Sequence, residues 1–251
     1  MVLEKLEKRV IIDCTLETLT TLLIGSGRED EVRGISLTFL KLPDGRVFIP
    51  GSSLKGVIRS EVEKILAGLG FDLCVIRSRG VPKYDECGKD ERVCCASCAI
   101  FGSLNIASRV LFRDALPINR VVTFIKPGIK IHREKKTAVG GALFKTEMVP
   151  PNSRFNFEVV FENPEDWMLG VFFSALESIL AVGGSSTRGA GKVKIRVNKI
   201  TILTPESIVG KAAPEELTNE RLSTFINECK EKFVKELETL KENYRPPQGR
   251  Q

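Results

Sequence analysis

At 251 residues, 42% of them hydrophobic, the chain is long enough for one large domain or two small ones around a sizeable core. Its formal charge of +6, from 38 Lys and Arg against 32 Asp and Glu, permits a polyanionic partner without requiring one. No apolar run approaches membrane-spanning length, and MVLEKLEKRV lacks the apolar stretch of a secretory signal, so a cytoplasmic protein with no membrane partner is expected.

In chain order, residues 10–17 (VIIDCTLE) alternate, with Ile12, Cys14 and Leu16 on one face, which predicts a half-buried strand. LLIGSG and GREDEVRG announce a loop, and ISLTFLK (35–41) reads as a strand or an irregular extended piece. A turn at LPDGR and a short strand at VFIP lead into IPGSSLKGVIRSEVEKIL. There Leu54, Val57, Ile58, Val62, Ile65, Leu66 and Leu69 recur at helical spacing. Ser52 and Ser53 could cap that helix; alternatively serines, free amides, Lys55 and Arg59 at its positive end form an anion seat, since no acid precedes Glu61. Residues 70–106 carry cysteines and little periodicity and read as an insertion; RVLFRDA (109–115) is a short strand.

Residues 121–149 read as a long basic hairpin or arm, and RFNFEVVFE (154–162) as a clear strand. Asn163-Pro164-Glu165-Asp166 opens a helix with an N-cap and a first-turn proline, and its apolar stripe runs from Met168 to Leu180. GGSSTRGAG (183–191) precedes the last strand, 192–203, and the stretch from Pro214 to Arg245 reads as one further helix. Strand–helix–strand twice over predicts an α+β, ferredoxin-like core with insertions, a thumb-like β-hairpin and a C-terminal helix. The expected organisation is a domain over 1–203, with the insertion at 70–106 and the arm at 121–149, and a helical extension over 204–251.

Three constellations carry chemistry. Loop 183–191 misses the P-loop pattern, because Ser186 and Val193 stand where Gly and Ser or Thr are required. Its amides, hydroxyls and Arg188 suit a nucleic-acid backbone instead; the plain alternative is a tight helix-to-strand connection. In the arm, cations including Lys130 and Arg133 interleave with Gly140-Gly141 and Leu143-Phe144, so it could insert between bases or dock on a neighbouring subunit. Cys95-Ala96-Ser97-Cys98 has zinc-ligand spacing, and Cys74 and Cys87 would complete a closed, structural tetrathiolate, with Cys94 competing with Cys95. Reduced, unliganded thiols are the alternative. A zinc deaminase is excluded, because the sole HxE, His132-Arg133-Glu134, follows the CxxC.

IGSGRE, IPGSSLKGVIRS, CASCAIFGS, ASRVLFRDA and GGSSTRGAGKVKI, in this order, resemble the RAMP superfamily of CRISPR-associated proteins over roughly residues 10–200. The likeness is to the repeated backbone subunit of type III effector complexes, in the branch with a cysteine-bearing insertion. The resemblance implies an RNA-recognition-like core whose copies stack on one CRISPR guide RNA beside other RAMP subunits and pair it with complementary target RNA. It carries guide-backbone binding onto Ser52, Ser53, Lys55 and Arg59 and onto Gly184, Ser185, Arg188 and Gly189, and assigns the thumb to 121–149.

Members that cut target RNA resemble one another in an aspartate before the IPGSS segment, and here Ser36 holds that position. A serine hydroxyl cannot serve as the acid. Asp30 and Glu31 are the candidate catalytic substitutes, with magnesium or manganese; their plain reading is a solvated acidic loop. A guide-processing ribonuclease is a further alternative, needing a base from His132, Tyr84 or Tyr244.

Overall fold

In a computed structural model of the chain, the described residues are 5–27, 29, 30, 32, 34–74, 87 and 94–246. The alternation at the N-terminus makes β1 (Arg9–Thr18), whose Val10, Ile12, Cys14, Leu16 and Thr18 are buried. It lies between β6 (Arg154–Glu162) and β7 (Val193–Leu203), antiparallel to both, with a register shift on the β7 side at Asp13/Cys14. β2 (Val110–Phe112) and β3 (Leu116–Pro117) pair with β6, and β8 (Glu215–Leu217) pairs with β7. The path β2-β6-β1-β7-β8 is the strand order that a β-α-β-β-α-β plan produces, with β8 added at one edge.

The apolar face is covered by α1 (Gly51–Gly68) and α3 (Asp166–Ser178), which contact each other. α1 buries Leu54, Ile58, Val62 and Leu66, one residue per turn, while Leu69 lies outside the stripe at 38% exposure. The stripe of α3 ends before Leu180, which is 85% exposed. Asn163 is not the cap of α3: its Oδ1 accepts from the Glu7 and Lys8 N–H groups, clamping the N-terminal segment, and Glu165 takes the cap position. Of the two readings for 35–41 the irregular extended piece holds, and the expected strand at 47–50 is likewise irregular; isolated bridges hold both, Gly25 to Phe39, Lys41 to Val47 and Ile49 to Ala115 among them.

β4 (Phe124–Ile131) and β5 (Ala138–Met148) form a separate two-stranded hairpin whose residues are mostly exposed. Within 70–106, Phe71, Leu73 and α2 (Ala96–Phe101) belong to the main core; 75–86 and 88–93, with Tyr84, lie outside the described residues. The long C-terminal helix divides. Residues 215–217 are strand β8, α4 (Pro205–Ile208) precedes it, and α5 (Asn219–Lys235) and α6 (Leu237–Asn243) break at Glu236. α5 packs along α3. Among the described residues no helix is long and apolar enough to cross a membrane.

Candidate nucleic-acid interface and metal centre

β1 ends where β6 and β7 begin, since Glu17 pairs with Arg154 and Thr18 with Val193. Loops are therefore gathered at that end of the sheet. The glycine-rich loop rests there on residues 21–23: Gly184 N–H donates to Leu23 O and Gly191 N–H to Thr21 O. Its approach is so close that a Cβ at Gly183 would stand 2.2 Å from Leu23 O. The next residues turn outward in a 3-10 turn, Ser186–Arg188, with Ser185 in the left-handed region at φ 61°. Gly184, Ser185, Arg188 and Gly189 are all exposed, so hydroxyls, cation and glycine backbone face solvent together. That arrangement suits a phosphodiester.

The base of the hairpin joins the same place. Leu23, Met148 and Ala190 form a small buried cluster with Leu37 against it. Ser36 N–H donates to Lys145 O, and Leu37 bridges Thr146. Glu147 ties the joint from within: buried at 4% exposure, its carboxylate accepts from Phe39 N–H, Lys41 Nζ and Thr123 Oγ1. Burial opposes its ionisation, but these three donors outweigh it and hold the carboxyl below its ordinary value. Asp30 pairs its backbone with Ile35 in both directions, closing the turn before Ser36, and Glu31 lies outside the described residues. Lys130 and Arg133 are exposed at the hairpin's far end, where His132 Nδ1 accepts from Lys135 N–H in the turn. Tyr244 instead donates to Glu165 and packs on Trp167, so His132 and Tyr244 belong to different parts of the molecule.

At the start of α1 neither serine caps. Pro50 is the cap residue, no side-chain cap bond forms, and the Gly51 N–H donates to Asp114 Oδ1 at 2.8 Å. The acid missing from the segment thus comes from the RVLFRDA stretch, and the favourable charge reaches the helix dipole from another element. Ser52 remains exposed and Ser53 half-buried. Lys55 Nζ donates to Ser108 Oγ and faces a cavity of about 700 Å³ also lined by Arg59, Cys74, Cys98 and Phe101. Burial and the neighbouring Arg59 lower the Lys55 pKa, so an anion there relieves both. Arg59, also expected on phosphate, makes its contacts here within the protein: Nε donates to Glu63 Oε1, Nη1 to Gly102 O and Nη2 to Cys98 Sγ.

Cys74, Cys87, Cys95 and Cys98 are buried with all four sulfurs within 4.8 Å of one another. Cys74 and Cys98 stand 3.5 Å apart, and Cys74 and Cys95 3.7 Å. Four sulfurs bound to one zinc at about 2.3 Å stand about 3.8 Å apart, so the set fits a tetrahedral thiolate metal. The structure decides between the adjacent thiols: Cys95 joins the cluster, while Cys94 stays outside it and burial pushes its thiol up to about 11. Hydrogen bonds within the cluster lower the Cys95 and Cys87 pKa values and raise those of Cys74 and Cys98. Four adjacent thiols do not all ionise unaided, and a bound cation reverses that by displacing the protons.

The sequence profile of the RAMP superfamily matches residues 15–194. A CRISPR system Cms endoribonuclease Csm3 from Methanocaldococcus jannaschii is 32% identical over 212 residues, 78% of this chain and 82% of that protein. The Methanothermobacter thermautotrophicus protein of the same name is 27% identical over 83% of this chain and 92% of its own length. In fold, the chain is similar to a chain of a Csm3–Csm4 subcomplex of the type III-A CRISPR-Cas interference complex. That match has TM-score 0.53 and 24% identity, covering 91% of this chain and 98% of the other.

Proposed function

The chain belongs to the RAMP superfamily, and from that membership we propose that it is a guide-RNA-binding backbone subunit of a type III CRISPR effector complex, acting in antiviral defence in the cytoplasm. The observation that carries this reading is the 32% identity, across most of both chains, to a protein named for a CRISPR system. The site agrees with it. Ser52, Ser53 and Lys55 at the start of α1, and Gly184, Ser185, Arg188 and Gly189 in the exposed loop, hold guide phosphates through cations, hydroxyls and amides. The projecting hairpin brings Lys130 and Arg133 to the same strand of RNA or to the next subunit along it. Its partners are guide RNA, complementary target RNA, other RAMP subunits and copies of itself; the fold likeness to a chain of a Csm3–Csm4 subcomplex supports the subunit partners.

Zinc is the metal that the four-cysteine centre best fits, and its role is structural. With four thiolates it has no open position, and it fastens Cys74 and Cys87 to α2 and the core. The relatives' names include endoribonuclease activity. Ser36 argues that this subunit holds target RNA without the family's cutting acid.

Phosphate contacts are sequence-blind, so Lys55→Glu combined with Arg188→Glu is expected to weaken binding of every guide-length RNA by about tenfold or more. The slope of affinity against salt should flatten as well. Filter binding across a salt series reads both, and wild-type affinity in the double variant would reject the clamp.

A further inference from the structure

We infer that Arg59 serves the cysteine centre: it is a positioning residue that donates a hydrogen bond to the Cys98 sulfur and offsets the negative charge of a metal–tetrathiolate group. The inference rests on the zinc reading above. A divalent cation with four thiolates leaves two negative charges uncompensated in a buried place, and such centres depend on donors outside the ligand set. Arg59 fits that need. Its Nη2 lies 3.9 Å from Cys98 Sγ, and its guanidinium carbon lies 5.9 Å from the centre of the Phe101 ring.

The rest of its bonding holds the guanidinium in place. Nη1 donates to Gly102 O, the residue that ends α2, at 3.2 Å. Nε donates to Glu63 Oε1 at 2.8 Å, and the same oxygen accepts from Ser97 Oγ at 2.7 Å. Arg59 and Glu63, one turn apart on α1, thus grip α2 on both sides of Cys98. All three nitrogens of the guanidinium have acceptors within the protein, which separates Arg59 from Lys55 on the preceding turn. Both side chains line the same cavity, but Lys55 Nζ donates to a serine hydroxyl, whereas Arg59 is bound to a carboxylate, a carbonyl and a sulfur. A guanidinium turned outward to RNA would abandon a carboxylate, a carbonyl and a sulfur at once. The two cations of this helix face therefore have different anions: RNA phosphate for Lys55, thiolate for Arg59.

The test uses the full chain loaded with zinc, or with cobalt(II) as a spectroscopic substitute, in wild type, Arg59→Met, Arg59→Lys and Lys55→Met. Release to a chromogenic chelator should be about tenfold faster or more in Arg59→Met, intermediate in Arg59→Lys and unchanged in Lys55→Met. The sulfur-to-cobalt charge-transfer band should move to lower energy in Arg59→Met, because a thiolate that loses a hydrogen bond donates charge more readily. Mere loosening of the helices does not produce that shift. Wild-type release and an unmoved band in Arg59→Met overturn the assignment while leaving the zinc reading intact. Equal loss in Lys55→Met, or weakened RNA binding with normal metal retention in Arg59→Met, also overturns it. A wild-type chain that takes up neither metal overturns the zinc reading and this assignment with it.

Discussion

Glu147 is the side chain on which the joint between hairpin and loop turns. One carboxylate takes hydrogen bonds from residues 39, 41 and 123, which come from two separate stretches of chain. Its folded pKa lies below the ordinary 4.5, so its stabilisation is fully present above about pH 5 and is lost as pH falls through the depressed value. Glu147→Gln should cost about 1–3 kcal/mol near pH 7 and less once pH has fallen through the depressed pKa, read by urea unfolding at each pH. An equal cost at both would show that its charge does not matter. Nothing in the sequence marks Glu147, which reads as one countercharge in a basic arm. Asp114 and Asn163 were hidden for the same reason: their backbone partners lie 63 and 156 residues away. Cys95 and Cys98 were legible because CxxC spacing is local; bringing Cys74 and Cys87 to them, and choosing Cys95 over Cys94, needed the fold.

Elements were legible where one face meets solvent. β1, β6, β7 and α1 each alternate or repeat with a clear period and form where it places them; α3 follows the Asn163-Pro164-Glu165-Asp166 signal, although residues 167–173 are all buried and the helix ends before Leu180. α2 escaped because all six of its residues are buried, which erases the contrast that reveals a helix. The stretch from Pro214 reads in sequence as continuous helix, yet Glu215–Leu217 joins the sheet, and Asn219 at φ 51° turns the chain into α5. α5 is seated closely: a methyl group at Gly170 of α3 would stand 2.3 Å from Cys229 O and 2.8 Å from Phe233 Cβ. Gly170→Ala should therefore displace α5 and cost about 1–3 kcal/mol, lowering Tm by about 2–4 °C per kcal/mol. Gly56→Ala, on the exposed side of α1 with nothing within 4 Å, should instead stabilise by about 0.5–1 kcal/mol. Calorimetry of both variants, with hydrogen exchange along α5, separates them; an unshifted Tm in Gly170→Ala would deny the close seating.

At the scale of the molecule, the two ends of the sheet carry different work. One end is fastened: Asp166 pairs with Lys8 from the N-terminal segment and with Lys232 from α5. The other gathers the glycine-rich loop, the hairpin base and the Ser36 turn around Leu23. On the proposed function, RNA lies against the loop-rich end, and the fastened end is left to hold the fold. Cutting requires something more, an acid beside the target nucleotide. Ser36 sits at the hairpin base with its Oγ accepting from Lys145 N–H, Glu147 is buried and bound to Lys41, and the Asp30 backbone pairs with Ile35 to close the turn before Ser36. A serine hydroxyl carries no charge with which to recruit a divalent metal. The subunit assembled on a guide is therefore expected to bind complementary RNA and to cut it at least about a hundredfold more slowly than Ser36→Asp does, about 2.7 kcal/mol in barrier height. Labelled target RNA with magnesium or manganese provides the assay, with Asp30→Ala combined with Glu31→Ala as the third protein. Brisk cutting by wild type that disappears in the double alanine variant would move the chemistry to the acidic loop. Slow cutting by wild type, unaffected in the double variant and quickened by Ser36→Asp, would fix the missing acid at position 36.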